Sequence, residues 1–498
     1  METANTDKKL VRRLSLFDAT MLVVGSMIGS GIFIVSAESA RLVGAPGWLL
    51  VAWALAGVMT ITGALCFGEL AAAMPKAGGP YVFMSEAYGK PVGFLYGWSQ
   101  FLIVQSGTIA AVAVAFANFT GILLPQISGA NYLIEPIIFG SYAVSLSTQQ
   151  LIAIISIALL TFINTRGLKV GKWIQNTFTV TKTAALLGLV IVGLTLGWNS
   201  GGALFSADLW NSAANGWNLE TVQPAAAALG SLAFVIVLGK AMTGPLFSQS
   251  AWDNVTFTGA EVENPGRNLP LALIIGCVIV VGLYFLANVA YVVTLSLPAL
   301  QNAPNGRVAV AVMEQIIGAP GLIIMAFALM ISTFGCNNGL ILSGSRVSYA
   351  MAKDGYLFAP LARTNHQHVP AFALLAQCVW ACFLILPRTV TYADGKPTFG
   401  NVYTQLLEYI VSVDLISAAL SVLAVIVLRR RQPEMERPYR AWGYPFTPIV
   451  FLALSTFVTL TLLYLSPGTA GIGYLLALTG IPVYFLWRRQ TERDSAIK

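Results

Sequence analysis

Two short segments rich in glycine and serine interrupt apolar stretches of the chain: GSMIGSGIF at residues 25–33 and TGPLFSQSAWDN at residues 243–254. Glycine costs a helix interior about 1 kcal/mol relative to alanine, so an uninterrupted spanning helix would not be expected at either place. A helix that restarts near Ser30 and Gly31 would present free amide groups, which suit a carboxylate. An interruption at 243–254 would present free carbonyl oxygens, which suit an ammonium group. Together the two segments could bind both charged ends of a zwitterion.

Close packing between helices is the alternative explanation for the first segment. Gly25 and Gly29 have the spacing of small residues at helix contacts in membranes. However, irregular backbone at membrane depth is tolerated only where it is buried in protein or lines a cavity. The second interruption favours a binding site, because paired broken helices mark the central site of many secondary transporters.

The composition predicts that both segments lie within a membrane. Hydrophobic residues make up 56% of the 498 residues and charged residues 10%, whereas soluble domains contain about 25% charged residues. A spanning helix needs about 20 mostly apolar residues. The sequence predicts twelve such stretches, at 17–40, 48–74, 91–124, 149–165, 173–198, 224–258, 270–298, 319–350, 369–387, 401–428, 445–466 and 470–488.

The charged residues predict the orientation of the chain. Most of the 28 lysine and arginine residues fall in tails and loops on the side that contains both termini. The positive-inside rule therefore places both termini in the cytoplasm, in an inner or plasma membrane. The net charge of +7 is explained by this topology and by contact with anionic membrane lipids, so no nucleic-acid partner is predicted. Glu69 and Glu261 are expected to pair with basic loop residues at the membrane surface.

One charged side chain lies well inside an apolar stretch. Lys182 is within FTVTKTAALLGLV, in the fifth predicted span. A charge at the bilayer centre costs about 2.5 to 3.5 kcal/mol, so such a residue is a candidate functional group. The alternative is a lysine whose long side chain reaches the membrane surface. Lys240, near one end of the sixth span, fits that alternative better.

The remaining reactive residues form no catalytic or metal-binding pattern. The cysteines lie in or at the ends of apolar stretches without metal-type spacing, and the histidines share one loop: Cys66, Cys277, Cys336, Cys378, Cys382, His366 and His368. The sequence also lacks a phosphate-binding GxxxxGK[ST] run. We therefore predict no enzyme, no metal site and no cofactor. An ion channel is disfavoured too, because it would need a ring of identical groups from several subunits.

Five motifs occur in order along the chain: GSMIGSGIF (25–33), GELAAAMPKAGGPYVFMSEAYG (68–89), PLFSQSAWDNVTFTGAEVENPGRNLP (245–270), STFGCNNGLILSGSRVSYAMAKDG (332–355) and RPYRAWGYPFTP (437–448). With the number and spacing of the spans, they make nearly the whole chain resemble the amino acid, polyamine and organocation transporter superfamily. The resemblance is strongest to the L-type amino acid exchanger branch.

The resemblance implies an all-α membrane fold of twelve transmembrane helices. Two inverted repeats of five helices would be followed by two additional C-terminal helices, with helices 1 and 6 broken as in leucine-transporter-like proteins. The expected divisions are a cytoplasmic tail at 1–16, a first repeat at 17–198, a second repeat at 224–428, helices 11 and 12 at 445–488 and a cytoplasmic tail at 489–498.

The resemblance also implies a substrate site, carried over onto matching positions. The substrate carboxylate would bind the unwound part of helix 1, and the ammonium group would bind backbone carbonyls of helix 6. Phe247 would also be the aromatic gate that closes the site from outside, and Lys182 would stand where sodium-coupled relatives bind an ion. The implied positions are Met27, Ser30 and Gly31 for the carboxylate, and Phe247, Ser248 and Ser250 for the ammonium group.

Two aspartates depart from the pattern of L-type relatives, which usually have asparagine after the tryptophan of helix 6 and often have asparagine in helix 10. This chain has Asp253 after Trp252, and Asp414 in helix 10. Both are expected to face the substrate, where a buried carboxylate must be protonated or paired with a cation. Three interpretations stay open: a structural role with the proton retained, recognition of a cationic substrate side chain, and coupling of transport to protons.

The implied function is sodium-independent exchange of neutral L-amino acids by alternating access. A transporter of cationic amino acids or polyamines, with proton coupling as an option, is the alternative. Eukaryotic L-type exchangers are joined to a single-pass glycoprotein through a cysteine in the loop between helices 3 and 4. Residues 121–150 contain no cysteine, so no disulfide-linked heavy-chain subunit is expected.

Overall fold

The computed structural model describes residues 12–140, 142–198, 202–393, 396–400 and 402–496, and most of them are helical. The helices are α1 Leu16–Met27, α2 Gly31–Val43, α3 Pro46–Ala73, α4 Pro80–Tyr88, α5 Lys90–Ser99, α6 Gln105–Leu123, α7 Thr148–Thr165, α8 Leu168–Thr195, α9 Leu219–Val222, α10 Pro224–Ala227, α11 Ala233–Ala241, α12 Thr243–Ser248, α13 Asn254–Phe257, α14 Pro265–Thr294, α15 Leu297–Gln301, α16 Val308–Ile317, α17 Ala319–Lys353, α18 Ala371–Ile385, α19 Val402–Arg431, α20 Phe446–Leu465, α21 Pro467–Leu478 and α22 Gly480–Ala496. The strands are β1 Tyr132–Phe139, β2 Tyr142–Ser147, β3 Pro387–Ala393 and β4 Lys396–Phe399.

The helices are those of a multi-pass membrane protein, as the sequence predicts. Within the described ranges, 10 helices are long and apolar enough to span a membrane, and the bent pair of α1 and α2 raises the count to 11. The predicted ninth span forms the shorter helix α18, which has 15 residues. The full count of twelve, the two inverted repeats and the boundaries between them stay predictions. Residues 1–11 of the predicted N-terminal tail, and residues 497–498 of the C-terminal tail, lie outside the described residues.

Local signals fix the ends of the first span. Ser15 forms a capping box with Asp18, in which each side chain accepts the other residue's backbone amide, and α1 begins there. Helix α2 ends at Gly44, whose φ of 67° is the left-handed conformation that glycine adopts without steric cost. Between these ends, α1 stops at Met27 and α2 restarts at Gly31, so the interruption lies where the sequence predicts it.

A four-stranded antiparallel sheet covers one face of the helical assembly, which we call the sheet face. The sheet has the order β1-β2-β3-β4, and β2 pairs with β3, which lies far away in the sequence. The Gln150 side chain at the start of α7 donates a hydrogen bond to the Ile385 carbonyl at the end of α18, at 2.7 Å. The sheet and this contact join the loop before α7 to the loop after α18. The sequence analysis did not foresee these strands.

The opposite face, which we call the tail face, is closed where the N-terminal segment meets the loop before α14. The amides of Arg13 and Leu14 donate to the Glu261 carbonyl at 2.8 and 2.9 Å, and the Glu263 amide donates to the Leu14 carbonyl at 2.9 Å. The Glu261 carboxylate accepts a hydrogen bond from the Arg346 guanidinium at 3.1 Å, and the two side chains are 1% and 0% exposed. The expectation of a surface pair is therefore wrong for Glu261, because its partner is a buried residue of α17.

The contacts of Glu69 are closer to the expected pairing with basic residues at the membrane surface. Its carboxylate, at the tail-face end of α3, accepts hydrogen bonds from the Arg429 guanidinium at 2.8 and 2.5 Å. It also accepts one from the Ala441 amide at 2.7 Å, and the Arg437 guanidinium lies 3.4 Å away. These contacts attach the segment before α20 to α3 and α19.

Candidate functional site

The first break leaves the start of α2 buried inside the protein. Helices α1 and α2 meet at an angle of 41° across residues 28–30. Ser30 is the residue that precedes the first turn of α2, and its own side chain does not cap the helix. The first amides of a helix have no partner within that helix, and they carry its positive dipole end. This end of α2 can therefore bind an anion such as a carboxylate.

The carbonyl groups of the same break are held by side chains from other helices. Each of five successive carbonyl oxygens accepts a hydrogen bond, so that the irregular backbone is satisfied without lipid or water. The pairs are the Lys182 ammonium with Gly25, the Cys336 thiol with Ser26 at 3.1 Å, the Tyr284 hydroxyl with Met27 at 2.8 Å, and the Ser332 hydroxyl with Ile28 and Gly29 at 3.4 Å each.

Lys182 does not extend to the membrane surface. Its side chain is 0% exposed and donates from α8 to the Gly25 carbonyl. A buried ammonium beside the last turn of α1 lies at the negative end of that helix dipole, which favours a cation. The Met27 carbonyl is already bound to Tyr284, so this predicted site residue contributes to the break chiefly as part of its fixed backbone.

The second break follows α12. The backbone is irregular from Gln249 to Asp253, and Ala251 has a φ of 63°, a conformation that costs a residue with a Cβ atom about 1 kcal/mol or more. The Phe247 carbonyl accepts hydrogen bonds from the Ser250 amide at 3.2 Å and from its hydroxyl at 2.7 Å. Among the described residues, no donor reaches the carbonyls of Ser248 and Ser250. Of the three predicted carbonyls, those of Ser248 and Ser250 are therefore better placed to accept a hydrogen bond from a ligand.

The two breaks touch each other. A Cβ atom at Gly31 would lie 2.3 Å from the Ser248 hydroxyl oxygen and 2.9 Å from the Ser248 Cα atom. Only glycine allows the start of α2 to pack this closely against the end of α12. The start of α2 therefore lies beside the end of α12, although 217 positions of sequence, from 31 to 248, separate them.

Two cavities lie on either side of the α12 turn. The larger has a volume of about 550 Å³, is lined by Thr243 and Gly244, and extends to Gln149 at the start of α7 and to Asn305 in the loop before α16. The smaller has a volume of about 50 Å³ and is lined by Leu246 and Phe247. Phe247 lines the smaller cavity, whereas Thr243 and Gly244 of the same helix line the larger one. Helix α12 therefore contributes to both cavities, and the role of Phe247 as a gate stays a prediction.

Asp253 and Asp414 both line the smaller cavity. Asp253 comes from the second break and Asp414 from α19, and the two carboxylates are close enough to interact electrostatically. Neither aspartate lines the larger cavity. The structure thus brings the two residues together, behind Phe247 and away from the sheet face.

Comparison with known proteins shows the family to which the chain belongs. A family model described as amino acid permease matches residues 14–487. The chain belongs to the amino acid permease family. It is 30% identical over 477 residues to the large neutral amino acids transporter small subunit 2 of Mus musculus, an alignment that covers 96% of this chain and 81% of that protein.

Two further relatives resemble this permease over similar lengths. Asc-type amino acid transporter 1 of Mus musculus is 27% identical over 505 residues, covering 97% of this chain and 83% of that protein. The serine/threonine exchanger SteT of Bacillus subtilis (strain 168) is 28% identical over 484 residues, covering 96% of this chain and 97% of that protein. The similarity extends over both breaks and the helices that hold them.

Several residues around the breaks of this permease were missed by the sequence analysis. The side chains that hold the first break, Tyr284, Ser332 and Cys336, belong to α14 and α17 and are ordinary spanning-helix residues in the sequence. Thr60 donates to the Gln249 side-chain oxygen at 3.0 Å and lines the smaller cavity. A polar residue in an apolar span was the only available signal, and many such residues elsewhere in the chain lack a comparable role.

Proposed function

We propose that this permease transports neutral L-amino acids across the cell membrane by sodium-independent exchange. The observation that carries the proposal is the contact between the two breaks at Gly31 and Ser248. The amides at the start of α2 suit the substrate carboxylate, and the open carbonyls of Ser248 and Ser250 suit its ammonium group. The relatives named above are transporters of neutral amino acids or of serine and threonine.

The orientation of the permease in the membrane is inferred from its charge distribution. The positive-inside rule places both termini and the tail face in the cytoplasm of a cell with an inner or plasma membrane, which puts the sheet face outside. The larger cavity would then be the outer vestibule, and Phe247 the gate between it and the substrate. The buried Glu261–Arg346 pair and the bonded Leu14 segment would close the cytoplasmic side.

Sodium independence is proposed from Lys182. Its ammonium donates a hydrogen bond to the Gly25 carbonyl oxygen. Carbonyl oxygens are also the kind of ligand that a sodium ion would use. A fixed positive charge at this place would repel a second cation. Because a sodium gradient then does not drive uptake, exchange against substrate on the opposite side is the expected mode.

Transport of cationic amino acids or polyamines is the second candidate, and one observation favours it. Asp253 and Asp414 supply two carboxylates in the smaller cavity, next to the second break. A substrate with a positive side chain would neutralise them. Polyamines lack a carboxylate, however, and would leave the amides at the start of α2 without an anion.

Binding is expected to require both α-groups of the amino acid. In proteoliposomes loaded with a neutral amino acid, uptake of the same labelled amino acid should be inhibited by neutral L-amino acids. The decarboxylated amine and the deaminated acid of the same substrate should each inhibit at least about tenfold less, because losing a hydrogen bond to a charged group costs about 1.5 to 3 kcal/mol. Equal inhibition by the amine would contradict the two-ended site and favour the polyamine alternative.

The permease is expected to work without a second subunit. Residues 121–150 contain no cysteine, and each cysteine of the chain lies in a helix without a disulfide partner. The purified single chain in lipid vesicles should therefore exchange amino acids at a rate that an added membrane extract does not increase. Exchange that appears only after a second protein is added would show that a partner is needed.

A further inference from the structure

The smaller cavity contains two acidic groups without a positive partner. Asp253 and Asp414 line its wall, and among the described side chains around it none is basic. The buried ammonium of Lys182, in α8, donates a hydrogen bond to the Gly25 carbonyl instead. No described side chain donates a hydrogen bond to either carboxylate, although the Asp253 backbone amide interacts with the carboxylate of the same residue. Two ionised carboxylates in one enclosed cavity repel each other, and burying each of them unpaired is costly.

A third group in the same cavity also lacks a partner. The Tyr96 hydroxyl of α5 lines the cavity and is buried, with the residue 4% exposed. It makes no well-formed hydrogen bond with a described residue, although Gln100 lies near it. A buried hydroxyl is rarely left without a partner, so this group points to something that binds in the cavity.

The surroundings limit what can bind there. Besides the aspartates, the titratable groups that interact with the pair are Tyr96 of α5 and Cys277 of α14. The side chains from α3, α12, α19 and α20 are apolar or hydroxyl groups, and Gln249 of the second break adds an amide. Those of the four helices include Met59, Thr60, Phe67, Leu246, Ile410, Ser417, Ser421 and Phe451. A volume of about 50 Å³ admits a few water molecules but no amino acid. A proton is the cation that fits without rearrangement of the walls.

We propose that Asp253 and Asp414 bind one proton between them and that transport requires this proton. With one proton present, one carboxyl group donates a hydrogen bond to the other, and the pair carries a single negative charge instead of two. Phe247 and Ser250 line the same cavity as the two aspartates, so the charge of the pair lies close to the second break, where a substrate ammonium group would bind. This inference rests on the proposed transport function and adds a second ligand to it.

The test measures exchange of a neutral amino acid at equal pH on both sides of the vesicle membrane, from about pH 5 to about pH 8, where folded proteins are generally most stable. The variants are Asp253→Asn and Asp414→Asn, which keep the shape of the side chain but cannot ionise. Glu135→Gln, which alters an exposed carboxylate on β1, is the matched control. The exchange rates of wild type and control should fall by about tenfold as the pH rises through the range, because the proton that transport requires is lost. Occupancy of one proton site changes about tenfold per pH unit beyond its midpoint.

Either asparagine variant should remove most of this pH dependence, because the remaining carboxyl group no longer shares a proton. A flat wild-type profile with measurable exchange would overturn the proton site while leaving the transport function intact. Variants that retain the wild-type slope would also overturn it. Competition by lysine or arginine that is lost in both variants would show that a cationic side chain occupies the pair instead. Absence of exchange at every pH would contradict the transport function itself.

Discussion

Replacing Lys182 with alanine is expected to reduce amino acid transport by about tenfold to a hundredfold while the protein stays folded in the membrane. The substitution removes the only described donor to the Gly25 carbonyl, at the end of α1. A buried acceptor left without a partner costs about 1 to 3 kcal/mol, and that cost falls on the conformation of the first break. The other four carbonyls of the break keep their donors, so the helix itself should persist.

The measurement is uptake by wild type and Lys182→Ala in sodium and in choline buffers, with equal amounts of protein in the vesicles. Lys240→Ala is the matched control, because Lys240 also lies in a spanning helix but its ammonium is near the Gln223 side chain instead of the break. Sodium should not affect the wild type, and stimulation of the variant by sodium would show that the fixed charge excludes a second cation. Wild-type uptake that collapses in choline, or a variant as fast as wild type, would remove Lys182 from the mechanism.

Replacing Gly31 with alanine is expected to abolish most transport, with a loss of about tenfold or more. The added Cβ atom would meet the Ser248 hydroxyl at 2.3 Å and the Ser248 Cα atom at 2.9 Å. The hydroxyl can rotate away, but the Cα atom belongs to the backbone, so α2 and α12 must separate. Inserting a methyl group into a close contact costs about 1 to 3 kcal/mol, and here it also displaces the amides from the carbonyls.

Two further variants separate this effect from general damage by alanine. Gly188→Ala lies in α8 with no atom within 4 Å of the new Cβ, so it should transport like wild type. Ser248→Gly removes the Cβ and hydroxyl of the partner, so combining it with Gly31→Ala should restore part of the lost rate. An unchanged rate in Gly31→Ala, or no gain in the double variant at equal protein level, would contradict direct contact between the two breaks.

The positions of both breaks could be predicted because they depend on local backbone preferences. Glycine at 29 and 31 disfavours continuous helix whatever surrounds it. The second break, from Gln249 to Asp253, lies within the predicted segment 243–254, although Gly244 and Pro245 themselves belong to α12. Lys182 was also visible, because a charge inside an apolar span is costly unless it is paired. Predicting its contact with the first break requires knowing which spans are neighbours. That arrangement is implied by the resemblance and not by the residues themselves.

The rest of the site depends on contacts between distant parts of the chain. Thr60 and Gln249 are hydrogen-bonded but lie 189 positions apart, and neither has a distinctive neighbourhood in the sequence. Glu261 shows how local reasoning fails: a glutamate in a short loop is usually exposed, yet this one is buried against Arg346 of α17. The strands were missed for a related reason, because β2 and β3 are short and pair across 247 positions, from Tyr142 to Thr389.

The four-stranded sheet determines which part of the entrance can move. It fastens the start of α7 to the end of α18, and the buried Arg388 guanidinium adds a hydrogen bond to the Ser147 hydroxyl at 3.3 Å. The mouth of the larger cavity therefore has one wall, near Gln149, that behaves as a rigid rim. We therefore expect the moving elements to be α2 and α12, which meet at the close contact between Gly31 and Ser248 and are not joined by the sheet. The entrance would then open by movement of one wall relative to a fixed wall, and not by an even widening of all its walls.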